Sequence, residues 1–302
     1  MGTTALALDI GGTKIAAAVV DDHGEVIHQA ARATPLYDVD HAWQAVLDAA
    51  TEALDGRKVD GIGIACAGPI DTVAGTVSPI NVGCWREFPL VARLRQVFPD
   101  VQVELAGDGI CMALGEHWMG AGRDADFLVG LVVSTGVGGG LVLHGRPYGG
   151  RTGNAGHIGH VVVEPDGVPC SCGGRGCVET IAGGPHLVRW ARRQGWPAPD
   201  NADAAHLAAA ALAGDDIALA AFDRAGRAVG LAIAATAALC DLDLAVVGGG
   251  VAQAGDILLE PVRRALNDHA RLSYVRDLRV AQAELSGRAG LVGAAALVIR
   301  TG

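Results

Sequence analysis

The apolar run Ala5-Leu6-Ala7-Leu8 lacks polar alternation, the pattern of a strand buried on both faces. It delivers Asp9 to a turn at Gly11 and Gly12. Residues 14–31 alternate apolar and polar positions around Asp21-Asp22-His23-Gly24, which predicts a strand–turn–strand hairpin. Over 40–55 the period becomes helical, with Trp43, Val46, Leu47, Ala50 and Leu54 on one face. A second buried strand is expected at 59–65, ending in the turn Cys66-Ala67-Gly68-Pro69-Ile70-Asp71. Residues 79–85 look irregular, 88–97 helical and 101–105 extended, and a helix opens at Asp108 and runs to about Met119.

The pattern then starts again. After a charged, glycine-containing boundary at 121–126, strands are expected at 127–133 and 139–143 around a second glycine turn at 134–140. Residues 144–180 are loop-rich, and alanine-rich helices follow near 184–194, 203–213 and 215–240. A strand at 242–247 ends in Gly248-Gly249-Gly250, a helix follows at 257–267, and the chain closes with a strand near 278–281 and a helix near 288–299. Two strand–hairpin–helix halves, each headed by a glycine turn, predict a duplicated α/β fold with a cleft between lobes. The expected lobes are 1–120 and 121–287, with 288–302 packing back on the first.

Composition narrows the partners. With 302 residues and 50% hydrophobic content, the chain buries a large core. A net charge of −10 argues against nucleic acid or an anionic membrane surface. No basic segment precedes the first apolar run, and the longest uncharged stretch is broken by glycines, so neither a secretory signal nor a membrane helix is expected. Three of the seven cysteines fall in one short segment and the rest lie in apolar surroundings. That is no disulfide framework; it predicts a cytoplasmic protein with a local metal site.

The glycine turns carry the candidate chemistry. Glycines without Cβ let a phosphate approach main-chain N–H groups, as Gly11, Gly12, Gly136 and Gly138 would allow. Thr13, Ser134 and Thr135 add hydroxyls, and Asp9 adds a carboxylate suited to a Mg²⁺ ion riding on nucleotide phosphates. Gly248, Gly249 and Gly250 leave a flat surface suited to adenine or ribose. Singly, each reads equally well as a tight turn. Together, each just after a buried strand, they predict a phosphate-binding cleft.

His160 with Cys170-Ser-Cys172-Gly-Gly-Arg-Gly-Cys177 supplies one imidazole and three thiolates, a set suited to tetrahedral Zn²⁺. Such a closed site staples a loop. Asp108, at a strand-to-helix junction, reads locally as a helix N-cap.

The segments Leu8-Asp9-Ile10-Gly11-Gly12-Thr13-Lys14, Ser134-Thr135-Gly136-Val137-Gly138-Gly139-Gly140 and Val246-Val247-Gly248-Gly249-Gly250 resemble the two phosphate motifs and the adenosine motif of the ROK family (repressors, open reading frames, kinases). The resemblance spans nearly the whole chain. It implies two ribonuclease-H-like lobes of the actin-like ATPase type and an ATP-dependent sugar kinase. Only eight residues precede Asp9, which disfavours the helix-turn-helix repressor branch. It also implies that zinc at His160, Cys170, Cys172 and Cys177 orders sugar-binding loops, with His160 lying against the sugar. Glu179, closing the Cys-x-Cys-Gly-x-x-Gly-Cys-x-Glu segment, would contact sugar hydroxyls, and Gly68 and Asn81 would line the sugar site. Asp108, upstream of Ala113-Leu114-Gly115-Glu116, becomes the base that accepts the proton of the sugar's primary hydroxyl.

Two positions depart from the glucokinase-like pattern. Gly107 stands where a sugar-binding Asn precedes the base, and His157 stands where a Glu binds ring hydroxyls. The run Ala155-Gly156-His157-Ile158-Gly159-His160 resembles N-acetylmannosamine kinases of the family, which keep the Asn. The sequence therefore predicts a kinase for a hexose or hexose derivative, built as a homodimer or homotetramer. A cyclitol or other polyol kinase and a non-catalytic sugar-sensing regulator stand as alternatives.

Overall fold

The computed structural model describes residues 2–300. Strands β1 (Thr4–Ile10), β2 (Lys14–Asp21) and β3 (Val26–Ala33) form an antiparallel meander, followed by helix α1 (Val39–Leu54). Then come β4 (Gly61–Cys66), a short hairpin of β5 (Ile70–Asp71) and β6 (Thr76–Val77), α2 (Leu90–Val97), β7 (Gln102–Gly107) and α3 (Asp108–Met119). The sheet order is β3-β2-β1-β4-β7, with β1, β4 and β7 parallel.

The remaining chain repeats this plan. It holds β8 (Phe127–Val133), β9 (Val137–Leu143), β10 (Arg146–Tyr148), α4 (Glu179–Ala182), α5 (Gly184–Arg193), α6 (Ala204–Leu212) and α7 (Asp216–Cys240). It closes with β11 (Leu244–Gly248), α8 (Asp256–His269), β12 (Arg279–Gln282) and α9 (Ala289–Ile299). The second sheet runs β10-β9-β8-β11-β12, the same sequence of antiparallel hairpin and parallel strands as the first. Two five-stranded sheets of one topology are the duplication that the repeated pattern predicts.

Two compact units result. The first contains the chain up to Asp124, Gly140–Gly156 and the residues from Gly287 on; the second contains Ala125–Gly139 and His157–Ser286. The segment Gly140–Gly156 thus groups with the first unit, whereas the sequence reading puts all of 121–287 in the second. Among the described residues no single helix is long and apolar enough to cross a membrane.

In the first unit α1 covers the sheet through a narrow strip of alanines. Ala42, Ala45, Ala49, Ala50 and Ala53 are buried with Val46, while Trp43, Leu47 and Leu54 are only half-buried. The buried stripe is therefore rotated from the one expected, because small side chains let the helix lie close to the sheet. Asp38 caps this helix, accepting from the His41 N–H at 2.8 Å.

Helix α9 packs on α3, β1 and β4 within the same unit. The approach is close enough that a Cβ on Gly293 would fall on the Cys111 carbonyl, and one on Gly115 on the Ala289 carbonyl. This packing fixes the start of α3, and so Asp108, against the end of β1. We expect Gly293→Ala to lower stability by about 1–3 kcal/mol through overpacking, read as a drop in the denaturant midpoint. An unchanged midpoint would contradict the tight α3–α9 contact.

Candidate active site

Strand register assembles the first cluster. Ile10 pairs with Cys66 and Cys66 with Gly107, so the carboxyl ends of β1, β4 and β7 are level. In open α/β sheets ligands bind beyond those ends. Asp9, the turn at Gly11–Gly12, Gly68 and Asp108 all leave the sheet at this one edge.

The first turn is closed by the Gly11 N–H donating to the Lys14 carbonyl at 3.0 Å. Buried Thr34, which sequence reasoning missed, holds it from below. Its hydroxyl donates to the Gly11 carbonyl at 2.7 Å and its N–H to the Thr13 carbonyl at 3.2 Å. Thr13 and Lys14 remain exposed. Asn81 lies over the turn: a Cβ on Gly12 would come within 2.7 Å of the Asn81 side chain. The neighbouring Ile80 N–H reaches the Gly68 carbonyl at 3.2 Å, which brings Gly68 and Asn81 together. Arg86, also missed, pins this loop by donating to the carbonyls of Pro79 (3.0 Å), Val82 (3.4 Å) and Trp85 (2.5 Å).

Asp108 is not the N-cap that its local sequence suggests. Gly107 is the cap, Asp108 is the first helical residue, and no side chain caps the helix. The Asp108 Oδ1 accepts from the Gly109 N–H at 2.7 Å, and the residue is exposed. Its charge is felt at Asp9, whose carboxyl is pushed up to about 6, first by burial and then by Asp108, with Lys14 opposing. Asp9 Oδ2 also lies 2.5 Å from where a Cβ on Gly290 would sit, at the start of α9. Two carboxylates close enough to disturb each other, one of them desolvated, form a site that favours a cation. The thiols of Cys66 and Cys111 are likewise pushed well up by burial and by these two charges, so both stay protonated.

The second unit assembles the other two glycine turns. Gly248 pairs with Val132, so β8 and β11 end together. Gly249 has φ +94° and lies against the Val133 carbonyl, where any side chain would collide. A Cβ on Gly250 would be 3.7 Å from the Ser134 hydroxyl. The turn at Ser134–Gly136 is shorter than expected: β9 starts at Val137, and Gly138 sits in that strand with open space above it. Ser134, Thr135, Gly250 and Val251 line a cavity of about 790 Å³, of the size that takes a drug-sized ligand. Its other wall is α5, with Val188, Arg189, Arg192 and Arg193. Sequence reading passed over this helix because its arginines look like an ordinary solvated face. Here too, burial first and then the Arg189 charge lower the pKa of His186.

Two residues after Cys177 stands Glu179, whose Oε2 accepts from the Val137 N–H at 3.0 Å. His160, Cys170, Cys172 and Cys177 form the remaining cluster, with ligand atoms all within 4.8 Å of one another. Cys170 Sγ is 3.8 Å from His160 Nδ1, and Cys172 Sγ is 3.8 Å from Cys177 Sγ. Thiolates about 2.3 Å from a tetrahedral zinc stand ~3.8 Å apart, so the set fits Zn²⁺. His157 is exposed, its ring 6.3 Å from that of His160.

Two outcomes are expected. Folded Asp9 keeps its proton up to about pH 6 and the unfolded side chain only to about 3.8, so native stability falls as pH rises through that window. Asp9→Asn should therefore be more stable than the wild type at pH 8, by about 1–3 kcal/mol, with the gain vanishing below pH 4. A less stable variant at pH 8 would contradict this. Cys172→Ser should reduce bound zinc below ~1 per chain and lower the melting temperature; unchanged zinc stoichiometry would count against the cluster.

The family model described as "ROK family" matches residues 5–301. The chain is 34% identical to a glucokinase of Thermotoga maritima, covering 97% of this chain and 96% of that one. It is 36% identical to an N-acetylmannosamine kinase of Yersinia pseudotuberculosis, covering 96% of each. Its fold matches the crystal structure of a ROK family glucokinase from Streptomyces griseus in complex with glucose and AMPPNP. That match has a TM-score of 0.84 and 35% identity over 99% of this chain and 100% of the other. With its two like sheets, three glycine turns and Cys₃His cluster, the chain belongs to the ROK family.

Proposed function

We propose that this protein is a kinase that transfers the γ-phosphoryl group of ATP to the primary hydroxyl of a hexose or hexose derivative. The observation that carries the reading is the pairing of an exposed carboxylate, Asp108, with a phosphate-type glycine turn at one end of the sheet. The relatives named glucokinase and N-acetylmannosamine kinase support the same reaction class.

Phosphoryl transfer asks the protein for alignment, charge neutralisation and a base. In this reading Asp108 takes the proton of the attacking hydroxyl. Gly11, Gly12, Thr13 and Lys14, with Ser134, Thr135 and Gly136, hold the phosphates through amides, hydroxyls and one ammonium. The cavity bounded by Gly250, Val251 and α5 takes the nucleoside. Mg²⁺ accompanying the nucleotide would be held by Asp9 and supplies charge neutralisation. The family resemblance assigns Gly68, Asn81, His157, His160 and Glu179 to the acceptor, and zinc would be held by His160, Cys170, Cys172 and Cys177 to order the acceptor loops. A cytoplasmic location and a homodimer or homotetramer belong to the same reading.

The acceptor's identity turns on Gly107 and His157. A Cβ at Gly107 would meet only the Gly153 carbonyl, at 4.0 Å, so the space an Asn would fill is open. That opening favours, as a second reading, an acceptor that needs no hydrogen bond there, such as a cyclitol or other polyol. His157 in the run 155–160 and the N-acetylmannosamine kinase relative favour an N-acylated hexose.

ADP release over a panel of hexoses, N-acetylhexosamines and cyclitols tests these readings. The wild type should turn over at least one, and Asp108→Asn should lower kcat by about 10²–10⁴-fold. A wild type that binds a sugar but releases no ADP with any of them would replace the kinase by a sugar sensor.

A further inference from the structure

We propose that Glu179 is a positioning residue for the second glycine turn, and that through it the zinc site sets nucleotide affinity. The inference rests on the reading of Ser134–Gly136 as a nucleotide-phosphate turn. It concerns how that turn is held.

Helix α4 grips the turn at both ends. At its start, Glu179 Oε2 accepts from the Val137 N–H at 3.0 Å, and the same oxygen lies where a Cβ on Gly136 would sit. Just past its end, the Gly184 N–H donates to the Ser134 carbonyl at 2.7 Å, and a Cβ on Gly183 would be 3.0 Å from the Thr135 carbonyl. The turn closes on itself through the Ser134 N–H donating to the Gly136 carbonyl at 2.9 Å. Ser134, Thr135 and Gly184 also line the 790 Å³ cavity, so the clamped atoms are those a ligand meets.

The clamp is tied to the zinc cluster by covalent distance. Cys177 stands two residues before Glu179, and the intervening chain is fixed on both sides. The Val178 N–H donates to the Val161 carbonyl at 3.0 Å, one residue past His160. Buried Thr180 donates its hydroxyl to the Cys177 carbonyl at 2.7 Å and its N–H to the same carbonyl at 3.0 Å. Zinc on His160 and Cys177 would therefore lock the backbone that aims the Glu179 carboxylate. A carboxylate accepting a backbone N–H is a strong, directional constraint on a loop otherwise made of small residues. One of its oxygens is used in this way, and in the proposed function the other would serve the acceptor sugar.

Isothermal calorimetry with a non-hydrolysable ATP analogue and Mg²⁺, without sugar, tests this on the zinc-loaded protein. Glu179→Ala should weaken analogue binding about 5–20-fold, with zinc content as in the wild type. Glu179→Gln, whose amide oxygen still accepts from the Val137 N–H, should stay within about threefold. Stripping zinc by chelation and dialysis before Mg²⁺ is added should weaken the wild type by a similar factor and Glu179→Ala little further. If the wild type binds the analogue and Glu179→Ala binds it equally, the proposal is overturned alone. It is overturned likewise if Gln falls as far as Ala, or if zinc removal leaves wild-type affinity unchanged. A wild type that binds no analogue overturns the nucleotide reading and this proposal with it.

Discussion

A partly desolvated carboxylate beside a second one is the constraint on which this molecule turns. Asp9 is the penultimate residue of a strand in which residues 5–8 are fully buried, and Asp108 opens the helix two strands away in the sheet. Neither burial nor the neighbouring charge favours the ionised form of Asp9. A fold selected only for stability would place an amide or an apolar residue there. The close packing of α9 on α3 and β1, made possible by Gly115 and Gly293, keeps the two carboxylates near each other. A cation held there, as the proposed function requires, would relieve the repulsion and tie the cost in stability to the chemistry.

The second unit uses the same topology to a different end. Its aligned strand ends carry glycines and hydroxyls in place of carboxylates, and its helices wall a cavity with arginines. Here the burden falls on holding a loop with little side chain of its own. Helix α4 and the cysteine cluster meet that need, one through backbone and carboxylate contacts, the other through four ligand atoms in tetrahedral reach. Ion pairs elsewhere in this unit, such as Arg224 with Glu164 at 3.0 Å, brace the segment before the cysteines against α7.

Much of this was legible in the chain. Strand β1, the hairpin after it, and helices α3 and α7 follow directly from apolar period and glycine punctuation, because long periodic segments are decided locally. The glycine turns and the Cys₃His set were legible because their spacing carries chemistry. What escaped depends on tertiary contact. Thr34 looks like any residue after a strand, yet its hydroxyl holds the first turn. Arg86 and the arginines of α5 carry no local mark, since the same residues solvate most surfaces. The buried face of α1 was misplaced because alanines, weak in any hydrophobicity pattern, are what lets the helix come close. Asp108 as an N-cap was a sound local reading that lost to the register of β7, which runs on to Gly107.

The reaction is defined by where the phosphoryl group goes. Phosphorus NMR of the product formed from ATP, with whichever acceptor elicits ADP release, measures that directly. The expected product is a phosphate ester on the oxygen of the acceptor's primary carbon, formed in step with ADP. Phosphate released only as the inorganic ion, or carried on the anomeric oxygen of the sugar, would contradict the kinase reading.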